Sequence, residues 1–363
     1  MTILRNWKPG SIANTVLLTL ISPIVNGSQW VISQPVVIST AANKAPDQAT
    51  ESRDNQPTKI EEKVVPLKTS GVSTGDPFEE DEFQLQEFKR WQGWFNLLYD
   101  SGNRHEVSGV KGFSVKSAGL VIGADAEMDK KTRVGAAFTF DRATVNGDDS
   151  QKTKIKGMLG SFYTRWDNRL LFLNTMMTLG KADSEIDRMM GSTKYTGKYK
   201  AGIWSVNITA GKHTRYQGWN IDPMALFNYS SIDFKDYVEK TEAGDMTKKE
   251  PSSFEAMEFG LGIKVNRSYW GNTLVRRGTY KPEFSLVGLY DVNSNGSDVK
   301  SRFSTGGDSF VITSPKRDKF RLKGELGITV NTYRRWTLKA GYRFHWSSNY
   351  NAHGVSAQVN YLF

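Results

Sequence analysis

His345, Trp346 and Ser347, with Asn349 close behind, place an imidazole and a hydroxyl two residues apart. On an extended strand that spacing puts both groups on one face, where a base can activate a nucleophile. Asp125, Glu127 and Asp141 could serve as catalytic carboxylates. Metal chemistry has little to work with. The four histidines, His105, His213, His345 and His353, fall in separate segments without an H-E-x-x-H spacing. Cysteine is absent, which removes disulfides, thiolate ligands and a thiol nucleophile together. No phosphate loop, nucleotide fingerprint or nucleic-acid module occurs, so neither cofactor nor nucleic acid is expected. The remaining group is acidic: Asp76, Glu79, Glu80, Asp81, Glu82 and Glu87 against only Lys89 and Arg90.

The elements that carry these residues differ along the chain. Residues 1–28 have basic Arg5 and Lys8, an apolar run and then Gly27 and Ser28, the layout of a signal peptide. Residues 29–75 are rich in Ser, Thr, Pro, Gln, Lys and Glu and read as a flexible linker or remnant passenger. At Asp76 the pattern turns helical: Asp76 caps, Pro77 suits the first helical position, Glu79 completes a capping box, and Lys89 and Arg90 sit at the negative end of the dipole. A helix is expected over 76–90.

From residue 91 onward twelve segments alternate with period two, centred near Phe95, Val121, Phe138, Gly160, Thr175, Val206, Ala225, Leu261, Leu286, Glu325, Ala340 and Ala357. In one of them Trp336, Leu338, Ala340, Tyr342, Phe344 and Trp346 share a face. Thr337, Lys339, Gly341, Arg343, His345 and Ser347 share the other. A soluble sandwich also alternates, so the segment ends and connections discriminate. Tryptophans and tyrosines gather at the ends, as in interfacial girdles. Connections alternate between short ones and longer ones such as Asp100–Ser114, Asp183–Thr193 and Asn293–Arg317; the stretch Ser268–Thr279 is long for the short end. Mean hydropathy is −0.49, and no later window approaches the roughly 18 apolar residues of a spanning helix. The expectation is an all-β, 12-stranded antiparallel transmembrane β-barrel over residues 91–363.

Several stretches resemble the autotransporter β-domain of type V secretion. Gly119, Gly123 and Asp125, then Arg133, Gly135 and Ala136, resemble that family's Gly-Gly-x-x-x-Gly-x-Asp and x-x-Gly-x-Ala-x-x-Tyr strands, with Ala118 in place of the first paired glycine. Gly157, Gly160 and Tyr163 fit as well. The overall cast is similar to surface cell antigen autotransporters of rickettsial bacteria. The resemblance implies an outer-membrane translocator that is not an enzyme, acting as a monomeric barrel. Its implied partners are outer-membrane lipid, the barrel-assembly machinery, periplasmic chaperones and a passenger segment in cis at the cell surface. Val355, Ala357, Val359, Tyr361 and Phe363 resemble the assembly signal of such barrels. The resemblance places helix 76–90 in the lumen. There it would face a basic wall of Arg321, Lys323, Lys339 and Arg343, with Asp125, Glu127 and Asp141 as balancing lumen acids.

Charge supports this placement. Residues 1–75 carry a net +2 and the helix −4, which leaves +12 on residues 91–363 out of a total of +10. That excess is expected in the lumen and loops. Fewer than fifty residues separate the signal from the helix, so the chain is expected to be either a fragment or a translocator with a short tail. Some relatives cleave their linker with a helix Asn; residues 76–90 contain none. The His345-x-Ser347 pair resembles the outer-membrane phospholipase, but its parity places it on the lumen face of Lys339 and Arg343, away from lipid. A general porin or adhesin is a further alternative.

Overall fold

The computed structural model describes residues 91–106, 111–147, 150–190, 192–244, 246–273, 276–293, 298–303, 309–313, 317–332 and 335–363. The expected signal peptide, linker and helix lie outside the described residues. The strands are β1 (Trp91–Arg104), β2 (Phe113–Glu127), β3 (Thr132–Gly147), β4 (Lys152–Asp167), β5 (Leu171–Met190), β6 (Thr193–Lys212), β7 (Thr214–Tyr216), β8 (Trp219–Phe234) and β9 (Tyr237–Thr241). They continue with β10 (Met246–Pro251), β11 (Phe254–Asn266), β12 (Tyr269–Thr273), β13 (Arg276–Asp291), β14 (Asp298–Phe303), β15 (Phe310–Thr313), β16 (Phe320–Thr332), β17 (Trp336–Ser347) and β18 (Tyr350–Leu362).

The long strands β1–β6, β8, β11, β13 and β16–β18 are the staves of a closed 12-stranded antiparallel barrel. Closure is made by β1, which pairs with β2 on one side and with β18 on the other, Trp94 opposite Asn360 and Leu97 opposite Ala357. Closure matters because lipid cannot satisfy a free edge of backbone N–H and C=O groups. Each of the twelve expected segment centres falls within a stave.

The short strands sit at the two ends. β7 and β12 lengthen the hairpins into β8 and β13 at the end that holds the tight turns. At the opposite end β9, β10, β14 and β15, formed by the long connections, extend the barrel sheet outward from β6. Short turns mark the periplasmic side and long connections the outside. At the periplasmic end, Gln217 (φ 47) and Gly218 (φ 81) form a two-residue turn with both central residues left-handed, the twist that a tight hairpin favours.

Three further connections differ from the sequence reading. Asp100–Ser114 is shorter, because β1 runs to Arg104 and β2 begins at Phe113. Asp183–Thr193 is not a loop: β5 runs to Met190 and β6 begins at Thr193, with Glu185 opposite Lys198 and Asp183 opposite Lys200. Above the lipid the outer face of a strand meets water, so its residues are charged and the stretch imitates a loop. Ser268–Thr279, long for the periplasmic side, is mostly the β12–β13 hairpin.

Outward positions in the middle of the staves are apolar and bare: Phe138 is 64% exposed, Phe162 67% and Leu261 75%. Phe95, Leu97, Ile122, Phe140, Met158, Leu179, Leu326 and Ile328 continue this band. Each side chain of this size left in water forgoes about 1.5–3 kcal/mol, so the band requires a hydrocarbon surround. At the periplasmic rim Trp336 packs on Tyr361 at 4.7 Å and Tyr361 on Phe363 at 5.0 Å. On the same rim Arg267 lies over both Trp219 and Tyr269. This amphipathic girdle suits a membrane interface.

Candidate functional site

The interior is built by the alternate residues of every stave, and on the β1–β4 side its periplasmic part is a clasp. Trp94 and Tyr163 point inward from β1 and β4. A Cβ at Gly123 would strike the Trp94 ring, and one at Gly135 the Tyr163 ring, so these two glycines make slots for the aromatics. The indole N–H of Trp94 donates to the Tyr163 hydroxyl at 3.0 Å, and that hydroxyl donates to Asp125 Oδ2 at 2.9 Å. Arg133 spans the remaining carboxylate oxygens, with Nη1 on Asp125 at 2.5 Å and Nη2 on Glu127 at 2.5 Å. The glycines, aspartate, arginine and tyrosine singled out in the sequence therefore form one buried unit across four strands. Both oxygens of Asp125 are engaged there, and Glu127 is held by Arg133 through one oxygen. Asp141 also faces inward, against Gly157, on the next layer.

The opposite side, from β11 through β17 to β1, is polar. Arg321, Lys323, Lys339 and Arg343 occupy inward positions of β16 and β17. Acids from strands distant in sequence meet them. Arg343 Nη2 donates to both carboxylate oxygens of Asp100 at 3.1 and 3.2 Å, and Arg321 pairs with Glu258. Glu283 accepts Lys264 at 3.5 Å and Lys281 at 3.9 Å. Acids and cations on inward strand positions are close to balanced, because Asp100, Glu258, Glu283 and Glu325 interleave with the basic residues. The expected lumen share of the positive excess is thus offset, and the surplus sits on outward positions and turns. Glu258, Glu283 and Asp100 escaped the sequence reading, although their parity on alternating strands carried the signal.

The interior is also less uniformly polar than a pore lining is expected to be. In the outer half, on the β2–β11 side, Val145, Ile155, Ile186, Tyr199, Ile203, Ile232, Phe234, Tyr237 and Phe254 form a buried apolar cluster. Tyr199 packs against Tyr237 within it, the rings tilted with centroids 5.0 Å apart.

The His345 and Ser347 pair is separated chemically. Both face inward, but the Ser347 hydroxyl donates to Asp318 Oδ2 at 2.6 Å, and Asn349 binds the same carboxylate through its backbone N–H at 2.9 Å and its side-chain amide at 2.5 Å. A hydroxyl committed to a carboxylate closes a loop against the strand end. Outward, Tyr342 and His353 share a 2.5 Å hydrogen bond. Val355, Ala357, Val359 and Tyr361 lie on the outward face of β18, with Phe363 just beyond its end. Asp76, Glu79, Glu80, Asp81, Glu82 and Glu87 fall outside the described residues.

A fourth feature lies at the periplasmic turns. His213, between β6 and β7, binds Asp222 through Nδ1 at 3.1 Å and Asp167 through Nε2 at 3.2 Å. With a carboxylate on each nitrogen both must carry protons, and the imidazole is pushed up to about 9 by Asp167 and then Asp222.

Comparison with known proteins agrees with this architecture. The autotransporter β-domain profile matches residues 93–343. Outer membrane protein B of Rickettsia typhi is 24% identical over 313 residues, covering 82% of this chain and 18% of that protein. The Rickettsia prowazekii protein of the same name is 23% identical, covering 81% of this chain and 18% of its own length. The chain thus spans under a fifth of the relatives it matches. Among solved structures, the translocator domain of NalP from Neisseria meningitidis superposes with a TM-score of 0.61 at 16% identity, covering 75% of this chain and 88% of that one. The β-domain of the Bordetella autotransporter BrkA gives 0.55 at 15% identity, covering 76% and 100%. Closed twelve-strand architecture, a lipid-facing apolar band and the glycine–aspartate clasp meet in one conclusion: the chain belongs to the autotransporter β-domain family and forms an outer-membrane barrel.

Proposed function

We propose that the barrel passes residues 29–75 through the outer membrane and holds them at the cell surface, with helix 76–90 lodged in the interior along the β11–β17 wall. The observation that carries this reading is that wall, where Arg321, Lys323, Lys339 and Arg343 face inward on adjacent strands. Two of these cations already face acids, Arg343 on Asp100 and Arg321 on Glu258, so the helix, with six acids against two cations, meets a mixed surface pair by pair. One opposed pair at 4 Å and an effective dielectric of 20 is worth about 4 kcal/mol before desolvation.

The outward face of β18, Val355 to Tyr361 with Phe363, serves assembly by the barrel-assembly machinery after delivery by periplasmic chaperones. The barrel acts as a monomer in outer-membrane lipid on a passenger in cis, without cofactor or nucleic acid. No catalytic role is assigned to Ser347, whose hydroxyl is bound to Asp318. Single-channel conductance of the whole chain and of a variant lacking residues 76–90 tests the lumen helix. Deletion raises conductance severalfold; equal conductance refutes the assignment. An epitope placed within residues 29–75 is cleaved by protease added to intact cells if the segment is displayed, and is protected otherwise.

A further inference from the structure

Part of the positive charge missing from the interior collects on the outside of the barrel over the β2–β4 sector. On β2, β3 and β4 the outward positions run apolar through the lipid band, with Leu120 opposite Phe140 and Phe140 opposite Met158. One step further out they turn cationic. Arg142 stands directly opposite Lys156, Lys154 follows two residues along the same face, and Lys116 lies opposite Thr144, diagonal to Arg142. All four are exposed. None has an ion pair within 4 Å among the described residues.

This arrangement is unfavourable by itself. Directly opposed side chains sit about 5 Å apart at Cβ, and like charges there are destabilising. Acids flank the patch on one side only: on β5 Glu185 stands opposite Lys154 and Asp183 opposite Lys156, and each is ion-paired on its other side, with Lys198 at 3.1 Å and Lys200 at 4.0 Å. Arg142 and Lys116 have no acid as a register partner. On the β16–β18 and β1 side the corresponding outward positions Phe320, Trp346, Asn351 and Ser101 are uncharged. Two inter-strand spacings and one two-residue step give the patch a span of about 10 by 7 Å, the scale of a sugar headgroup.

We infer that Lys116, Arg142, Lys154 and Lys156 bind the phosphorylated sugar headgroup of a glycolipid in the outer leaflet. The patch meets the apolar band where a lipid's acyl chains end and its headgroup begins. Phe138, Phe140, Met158 and Phe162 below offer the acyl chains a wall. Phosphate between Arg142 and Lys156 replaces their mutual repulsion with two charge-assisted contacts. The lipid thereby becomes part of the seam joining β2, β3 and β4.

The test is a thermal melt of the whole purified chain in neutral detergent, with added bisphosphorylated lipid A, phosphate-free lipid A or inorganic phosphate. Bisphosphorylated lipid A raises the melting temperature and the other two do not. R142Q/K154Q/K156Q abolishes that shift, or weakens the apparent Kd by tenfold or more. D183N/E185Q, which leaves all four cations in place, serves as the opposite arm: removal of the adjacent acids tightens binding severalfold. An equal shift with phosphate-free lipid, an equal shift with inorganic phosphate, or unchanged binding in either variant overturns the proposal. None of these residues faces the interior, so the outcome is independent of the lumen helix.

Discussion

Replacing His213 by glutamine tests whether the carboxylate–imidazolium–carboxylate bridge ties the periplasmic turns together. The bridge joins the end of β4, the β6–β7 junction and the start of β8. A rise from 6.5 to about 9 corresponds to about 3 kcal/mol of preference for the charged ring. The His213 side chain is 29% exposed, so solvent screening brings the expected contribution to about 1–2 kcal/mol. The folded form binds the proton more tightly than the unfolded form, so the contribution is complete below about pH 6.5 and is lost as pH rises through about 9. Detergent-solubilised wild type and H213Q, unfolded in urea and followed by tryptophan fluorescence, should differ by about 1–2 kcal/mol at pH 6 and by almost nothing at pH 10. Comparing the two proteins cancels every other group that titrates in this range. A gap that stays constant from pH 6 to pH 10, or widens with pH, refutes the bridge as a charged element.

Tyr163→Phe removes the acceptor of the Trp94 N–H and a donor to Asp125, and should cost about 1–3 kcal/mol in the same urea assay. Gly135→Val drives a branched side chain into the Tyr163 ring; its expected outcome is loss of the folded, heat-modifiable band on cold gels. Leu261→Arg puts a charge in the apolar band at a residue 75% exposed to lipid and should cost about 2–4 kcal/mol if it lies at the midplane, read by folding into vesicles.

Alternation made most of this fold legible, because the two faces of each stave meet different solvents and the chemistry must switch at every residue. The same rule placed Arg321, Lys323, Lys339 and Arg343 on one face before any coordinates. It failed at Asp183–Thr193, where both faces of the strands continue but the outer solvent is water, so charge imitated a loop. Motif resemblance singled out Gly123, Asp125 and Gly135, while their purpose as slots and anchor for Trp94 and Tyr163 depends on cross-strand register.

Net charge shows the same limit. A surplus of +10 is a sum over faces, and the sum cannot say which face holds it. Register resolves it by setting Asp100 against Arg343 inside and Arg142 against Lys156 outside. The inner pair is offset by its partner, and the outer pair is of like sign, so the two surfaces need different things from their surroundings. The interior is nearly neutral overall and its charges are satisfied locally, whereas the outer rim of β2–β4 keeps a net positive charge beside Asp183 and Glu185, the charge that the proposed glycolipid phosphate would offset.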